Sequence, residues 1–337
     1  MSGLNADNWR RLHGGFFEGE RVMITGGAGF IGSHLADALL ALGAEVVVLD
    51  DLSAGRRENL QNHASLTFVQ GSILDRDLLQ NVVAGCSYVF HEAALGSVPR
   101  SVELPLLYND VNTTGTLNVL DASRRLGVGR VLFAASSSAY GFNPVPWIET
   151  MPVLPRSPYA ATKVAGEALF RAYSASYGLD TAALRYFNIF GPRQSPHSAY
   201  AAVIAAFAKA YLSGEAPVIY GDGEHSRDFT FVANAVHANL LAARRPEPIR
   251  GEVMNVGCGG RISLNRLASQ MGQELGRPDL TPVYQEERAG DIRHSYADLT
   301  RVRTMLGYEP VVEFREGLRE TLSWYRSILE VRRAIAV

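Results

Sequence analysis

Cysteine is scarce in this chain: Cys86 and Cys258 stand alone among 337 residues. Two distant cysteines can build neither a disulfide framework nor a zinc-ligand spacing, so no metal is expected. Charge of one sign is not concentrated either, since 32 Lys and Arg face 34 Asp and Glu without a long block of one kind. That balance excludes the basic excess of a nucleic-acid-binding protein. No apolar run approaches the roughly 18 residues of a membrane span, and the polar opening MSGLNADNWRRLH has no signal-peptide core. Internal repeats and low-complexity linkers are missing as well. What remains is 47% apolar and nearly neutral, one large or two small domains, expected in a reducing cytoplasm without insertion into a membrane.

Against that plain background one stretch stands out. After the apolar run Val22 to Ile24 the chain reads TGGAGFIGSHL, Thr25 to Leu35, and continues at helical spacing through Ala38, Leu39 and Leu42. Strand, glycine turn and helix in this order are the context a dinucleotide fingerprint requires. Gly26 permits the tight turn, Gly29 lets the backbone approach a pyrophosphate, and Gly32 lets helix pack on strand, so the helix N-terminus faces the phosphates. The next apolar run, VVVLD, ends in Asp50, a carboxylate able to accept a hydrogen bond from a ribose 2′-hydroxyl. Arg56 and Arg57 follow closely and raise a 2′-phosphate site as an alternative. The carboxylate would repel that phosphate, which favours NAD, and the arginines fit a solvated helix start.

Short apolar runs recur at Val46 to Leu49, Leu66 to Val69, Tyr88 to His91, Val131 to Ala134 and Thr181 to Arg185, with helical stretches such as Leu106 to Leu126 and Pro158 to Tyr177 between them. This alternation predicts an α/β fold, a Rossmann-type doubly wound parallel sheet covered by helices on both faces. The expected organisation is an N-terminal extension over 1–20, built on Trp9, Leu12 and Phe16, and a nucleotide-binding domain over 21–186 to which 231–256 returns. A smaller mixed α/β substrate-binding lobe takes 187–230 and 257–337, where the rhythm breaks into Gly- and Pro-rich loops.

At the head of the second long helix, SPYAATK places Tyr159 and Lys163 one turn apart on one face. An ammonium beside a phenol favours the phenolate, which makes Tyr159 a general base; the same spacing also suits a solvated helix face. Upstream, FAASSSAYG sets Ser136, Ser137 and Ser138 just beyond an apolar strand. A hydroxyl there can bind a substrate oxygen or relay a proton to Tyr159, and a polar turn is the plainer alternative.

Taken together, TGGAGFIG, HEAA (His91 to Ala94), NTTGT, SSSAYG, YAATK, LRYFNIFGPR and SRDF resemble the extended short-chain dehydrogenase/reductase superfamily, in the order and spacing of its UDP-sugar 4-epimerases. HEAALGSVPRS, YAAVI and EGLRETLSWY are similar to the subgroup acting on UDP-N-acetylglucosamine and UDP-N-acetylgalactosamine for surface polysaccharides. The resemblance implies tightly bound NAD+, with Ser136, Tyr159 and Lys163 catalytic. It implies cofactor contacts from Phe30, Ile31, Asp51, Ser53, Gly55, Ser72, Ile73, Ala93, Asn112 and Tyr186 besides the glycines and Asp50. Substrate contacts would come from Ser97, Arg100, Ser136, Ser137, Ser138, Asn188, Ala202, Val203, Tyr220, Arg227, Arg288, Asp291 and Ser295. Arginines suit a diphosphate because a guanidinium can bind its oxygens at two points.

The resemblance also implies that small Ser295 leaves room for a 2-N-acetyl group, where hexose-restricted epimerases carry tyrosine. Ser72 departs from the acid usual near the adenine, which weakens that anchor. A homodimer through a four-helix bundle of Leu106 to Leu126 and Ser157 to Tyr177 is implied as well. Two other readings stay open. A sibling such as a UDP-glucuronate epimerase, decarboxylase or dehydratase would share the oxidation step, but Ser137 and Ser138 stand where a dehydratase carries Asp-Glu. A non-catalytic NAD-binding regulator would have no need to keep Tyr159 and Lys163.

Overall fold

The alternation of side chains along each strand decides the architecture. Val22 and Ile24 of β1 (Arg21–Thr25) and Val46 and Val48 of β2 (Glu45–Asp50) enter one apolar cluster, while Met23, Val47 and Leu49 enter a second on the opposite face. A sheet buried on both faces must be covered twice, and helices do it. The computed structural model describes residues 4–195, 203–287 and 291–335. In it β3 (Leu66–Gln70), β4 (Tyr88–His91), β5 (Arg130–Ser136), β6 (Asp180–Tyr186) and the strand Glu252–Val256 join β1 and β2. The seven strands are all parallel, in the order Glu252–Val256, β6, β5, β4, β1, β2, β3. The expected doubly wound sheet is therefore present, with its strand order reversing between β4 and β1.

The N-terminal extension packs as part of this body. Its helix α1 (Ala6–His13) has an Asn5–Asn8 capping box and lies on α2 (Phe30–Ala41), held by an Arg10 Nε bond to the Ala41 carbonyl at 3.1 Å. Trp9 is buried as expected, but Phe17 rather than Phe16 enters the core; Phe16 stays 40% exposed. The stretch expected as one helix over Leu106 to Leu126 is three pieces, after α3 (Arg76–Val83) and α4 (Val98–Glu103): α5 (Pro105–Asn109), a π-helical turn Asp110–Thr114, and α6 (Gly115–Arg125). The extra residue of the π turn coincides with Asn112, whose side chain leaves the helix for other partners. Helix α7 (Pro158–Tyr177) starts from a Ser157 cap that accepts the Ala160 N–H, with proline in its first turn, and ends at left-handed Gly178.

Beyond β6, Glu252–Val256 apart, the strands are two or three residues long. Ile189–Phe190 pairs with Thr230–Phe231, Ser226–Arg227 lies between Ile262–Ser263 and His294–Ser295, and Val218–Tyr220 pairs with Val283–Gln285. Helices α8 (Val203–Ser213), α10 (Leu264–Glu274) and α12 (Phe314–Ile335) surround them, while α9 (Val232–Arg244) returns to the main sheet and α11 (Thr300–Leu306) lies against its last strand. The apolar cluster under α2 and α9 runs on without interruption to Ile219, Leu267 and Leu322. One continuous core thus supports both the sheet and the smaller lobe.

Candidate active site

A cavity of about 1060 Å³ opens along the carboxyl ends of the strands, beside the point where strand order reverses. Gly26 turns the chain at φ +68°, and a Cβ there would stand 2.7 Å from the Ala93 backbone. A Cβ on Gly32 would collide with the Gly26 carbonyl. Gly29 is the α2 N-cap and caps it with no side chain, so Phe30, Ile31 and Gly32 bring the open first turn of a helix to the cavity wall. First-turn N–H groups attract phosphate oxygens. At the rim Asp50 accepts the Ala28 and Leu52 N–H groups at 2.9 and 2.8 Å. Burial raises its pKa and those bonds oppose the rise; each oxygen keeps a lone pair for a ribose hydroxyl. The cradle therefore fits a dinucleotide.

Asp51, Ser53, Gly55, Ile73 and Ala93 line the same cavity. Ser72 does not, because its hydroxyl accepts the Leu74 N–H at 3.2 Å and closes a turn, leaving its neighbours Gly71 and Ile73 to reach the cavity. Arg57 turns to the Phe68 ring and the Leu60 carbonyl at the start of a short helix, while Arg56 reaches the cavity wall. Asn112, expected along the cofactor path, is buried behind it. Its amide joins Leu95 N, Leu95 O and Thr162 Oγ1 at 2.8, 3.1 and 3.1 Å, so it ties the loop after β4 to α7.

The other end of the cavity gathers Ser136 from the tip of β5, Tyr159 and Lys163 from α7, and Tyr186 from the tip of β6. The Ser138 hydroxyl donates to Ser136 Oγ at 2.9 Å. Lys163 Nζ donates to the Ala134 carbonyl at 2.7 Å and lies 6.0 Å from the centre of the Tyr159 ring. Burial pulls the ammonium down to about 8, with Glu92 and Glu167 opposing. The phenol differs from the expectation. Burial pushes the Tyr159 pKa up, and the group that draws it back is Ser136 rather than the ammonium, which is held on the strand carbonyl.

Among the residues expected at substrate, Asn188, Arg227 and Ser295 form a cluster in the smaller lobe. Ser295 is paired in register with Arg227 and its Oγ accepts Asn188 Nδ2 at 3.4 Å. Burial lowers the Arg227 pKa, and the nearby Asp291 carboxylate opposes it. Ser295 is itself buried, and neither it nor Asn188 lines the cavity. Val203 opens α8 and Tyr220 ends Val218–Tyr220. Ser97 caps α4 by accepting the Arg100 N–H, and the Arg100 side chain is exposed, outside the cavity lining. Ala202 and Arg288 lie outside the described residues.

Sequence reasoning passed over several residues that the fold brings to the cavity. Glu92 lies just beyond β4 and accepts the Tyr186 hydroxyl at 2.8 Å. Burial pushes its carboxyl up to about 7, against the pull of Tyr186 and Lys163. Arg193, Gln194 and Trp324 also line the wall, held by an Arg193–Asp37 ion pair at 2.7 Å and a Tyr325 hydroxyl bond to the Gln194 carbonyl at 2.8 Å. Glu92 and Trp324 sat inside recognised motifs, but only as letters; neither spacing nor period told which way they face.

A family model described as the NAD dependent epimerase/dehydratase family matches residues 22–257. The chain is 44% identical to a solved UDP-N-acetylglucosamine 4-epimerase from Methanobrevibacter ruminantium, in complex with UDP-N-acetylmuramic acid, over 92% of this chain and 99% of that one, with a TM-score of 0.88. It is 42% identical to a UDP-glucose 4-epimerase of Mycolicibacterium smegmatis, covering 91% of this chain and 99% of the relative. A Thermus thermophilus UDP-glucose 4-epimerase solved in complex with NAD matches at 36% identity and TM-score 0.81, over 91% of this chain and 99% of that one. NAD is the cofactor, and the glycine turn and Asp50 line a cavity whose shape fits it. This chain belongs to the NAD-dependent epimerase/dehydratase family.

Proposed function

We propose that this enzyme interconverts UDP-N-acetylglucosamine and UDP-N-acetylgalactosamine in the cytoplasm, with UDP-glucose and UDP-galactose as a second pair, by transient oxidation at C4. The observation that carries the reading is the convergence of Ser136, Tyr159 and Lys163 at one end of a cavity whose other end is a dinucleotide cradle. The C4 hydrogen of a pyranose is not acidic, so simple deprotonation cannot invert that carbon. NAD supplies a hydride acceptor that later returns what it took. Tyr159 would take the 4-hydroxyl proton, with Ser136 holding the oxygen and Lys163 keeping a positive charge beside the ring. The flat 4-keto sugar must then turn about its diphosphate and receive the hydride on its other face. Firm holding of the nucleotide with loose holding of the hexose meets that need, and the resemblance assigns Arg227, Arg288 and Asp291 the first role and small Ser295 the second.

Purified protein incubated with each UDP-sugar, without added cofactor, tests the reading. Both epimers should form from either member of a pair, with no net NADH released. Net NADH release, or a product of altered mass, would replace it with a dehydrogenase or dehydratase. We propose further that the enzyme is a homodimer through α5–α6 and α7. Leu106 is 80% exposed and Leu107 and Leu117 also face outward on the first of these, an apolar surface suited to a partner copy. Light scattering should give twice the mass of 36.7 kDa at micromolar concentration.

A further inference from the structure

Glu92 stands outside the path from Ser136 to Tyr159, yet it is held at the same end of the cavity as firmly as the catalytic groups. Tyr186 donates to Glu92 Oε1 at 2.8 Å and itself accepts Asn239 Nδ2 at 2.6 Å, so β6 and α9 fix the carboxylate from behind. Lys163 faces it from α7, and the opposite charges stabilise one another across the wall. His91, its neighbour on β4, is buried and bonded to Thr25 and Thr116; with Lys163 beside it, it stays neutral. Among the described residues lining this end, Glu92 and Lys163 are thus the carboxylate and the ammonium that face one another across it.

An apolar side chain of similar size would avoid the cost of burying a carboxylate. An oxidised nicotinamide carries a positive charge that it loses on accepting a hydride. Lys163 alone therefore favours the reduced ring, and a carboxylate in the same wall favours the oxidised one. An epimerase must return every hydride it borrows. We propose that Glu92 is the charge counterweight to Lys163 that keeps bound NAD poised toward its oxidised form. The hydride and the hydroxyl proton still pass between sugar, cofactor and Tyr159; Glu92 exchanges neither and acts only through its field. The inference rests on the reading of a cycled NAD, but its test needs no sugar.

Purified holoenzyme is equilibrated anaerobically with a mediator dye at fixed poise and pH 8, and the reduced fraction of bound cofactor is read at 340 nm. Glu92→Gln, which keeps the shape, should raise the ratio of reduced to oxidised cofactor about tenfold, or about 30 mV for a two-electron couple. Glu92→Leu should shift it the same way, and Glu92→Asp should stay within about threefold of wild type. A shift below about twofold in both neutral variants overturns the proposal, as does an aspartate variant that shifts as far as the glutamine one, since shape and not charge would then be the cause. Failure of the epimer assay with this shift intact would sink the substrate reading and leave the counterweight standing.

Discussion

At Tyr159 burial works against the proposed proton transfer, since it raises the phenol while the Ser136 hydroxyl lowers it. Removing the phenolic oxygen leaves the helix face and its packing as they are. Tyr159→Phe should lower kcat by about 10³-fold, with an unchanged unfolding midpoint; turnover within tenfold of wild type would remove Tyr159 from the reaction. Ser295 offers a sharper distinction. A tyrosine in that buried place must push through Asn188 into the proposed hexose space, so Ser295→Tyr should cost about 100-fold in kcat/KM for the N-acetylated pair and a few-fold for plain hexoses. Equal losses on both pairs would dismiss the pocket account. The glycines, Asp50, Tyr159 and Lys163 were legible in the sequence because their spacing is set within one turn or one strand–turn–helix unit. Glu92 and Arg193 were not, since each acquires its role from a partner far along the chain, Tyr186 and Asp37.

The elements themselves could be read where one period governs them, as in β1 to β6 and α7. The π turn at Asn112 could not, because it answers to the loop after β4 rather than to its own helix. A similar long reach secures α9. Arg130, at the start of β5, pairs with Asp180 at 2.5 Å and donates to the carbonyls of Ala242, Ala243, Arg245 and Glu247, gathering the C-terminal end of that helix and the turn after it. These carbonyls have no helical partner of their own, and a buried cation is well placed to serve them. Arg130→Ala leaves the half-buried Asp180 without its cation and several acceptors unmatched, so it should destabilise by about 3–5 kcal/mol in urea unfolding. A loss below about 1 kcal/mol would show that water replaces the guanidinium at that helix end.

At the scale of the whole molecule, the apolar cluster shared by sheet and smaller lobe makes acid stability a property of the entire chain. His13, His34 and His91 are buried and neutral, each pulled down to about 3, first by burial, and His237 to about 4. They lie on α1, α2, β4 and α9, so protonating them opens the body from several sides. A histidine whose folded pKa lies below its unfolded value contributes stability that is present above about 6.5 and lost as pH falls from there toward the folded value, because only the unfolded chain takes up the proton. Glu92 and Asp228 act in the other sense. Burial raises them to about 7 and about 6, so the native state binds their protons first and gains as pH falls through that range. Burial raises Asp50 and Glu149 as well, and they act in the same sense. Four imidazoles against two carboxylates leave a net loss near pH 5.5 of about 3 kcal/mol per pH unit, at about 1.4 kcal/mol for each uncompensated proton. The urea midpoint should therefore be clearly lower at pH 5.5 than at pH 7.5. His34→Gln, which can still donate to the Pro192 carbonyl now bonded at 3.0 Å, should shrink the difference. A midpoint equal or higher at the lower pH would mean that the carboxylates, not the histidines, govern how this fold meets acid.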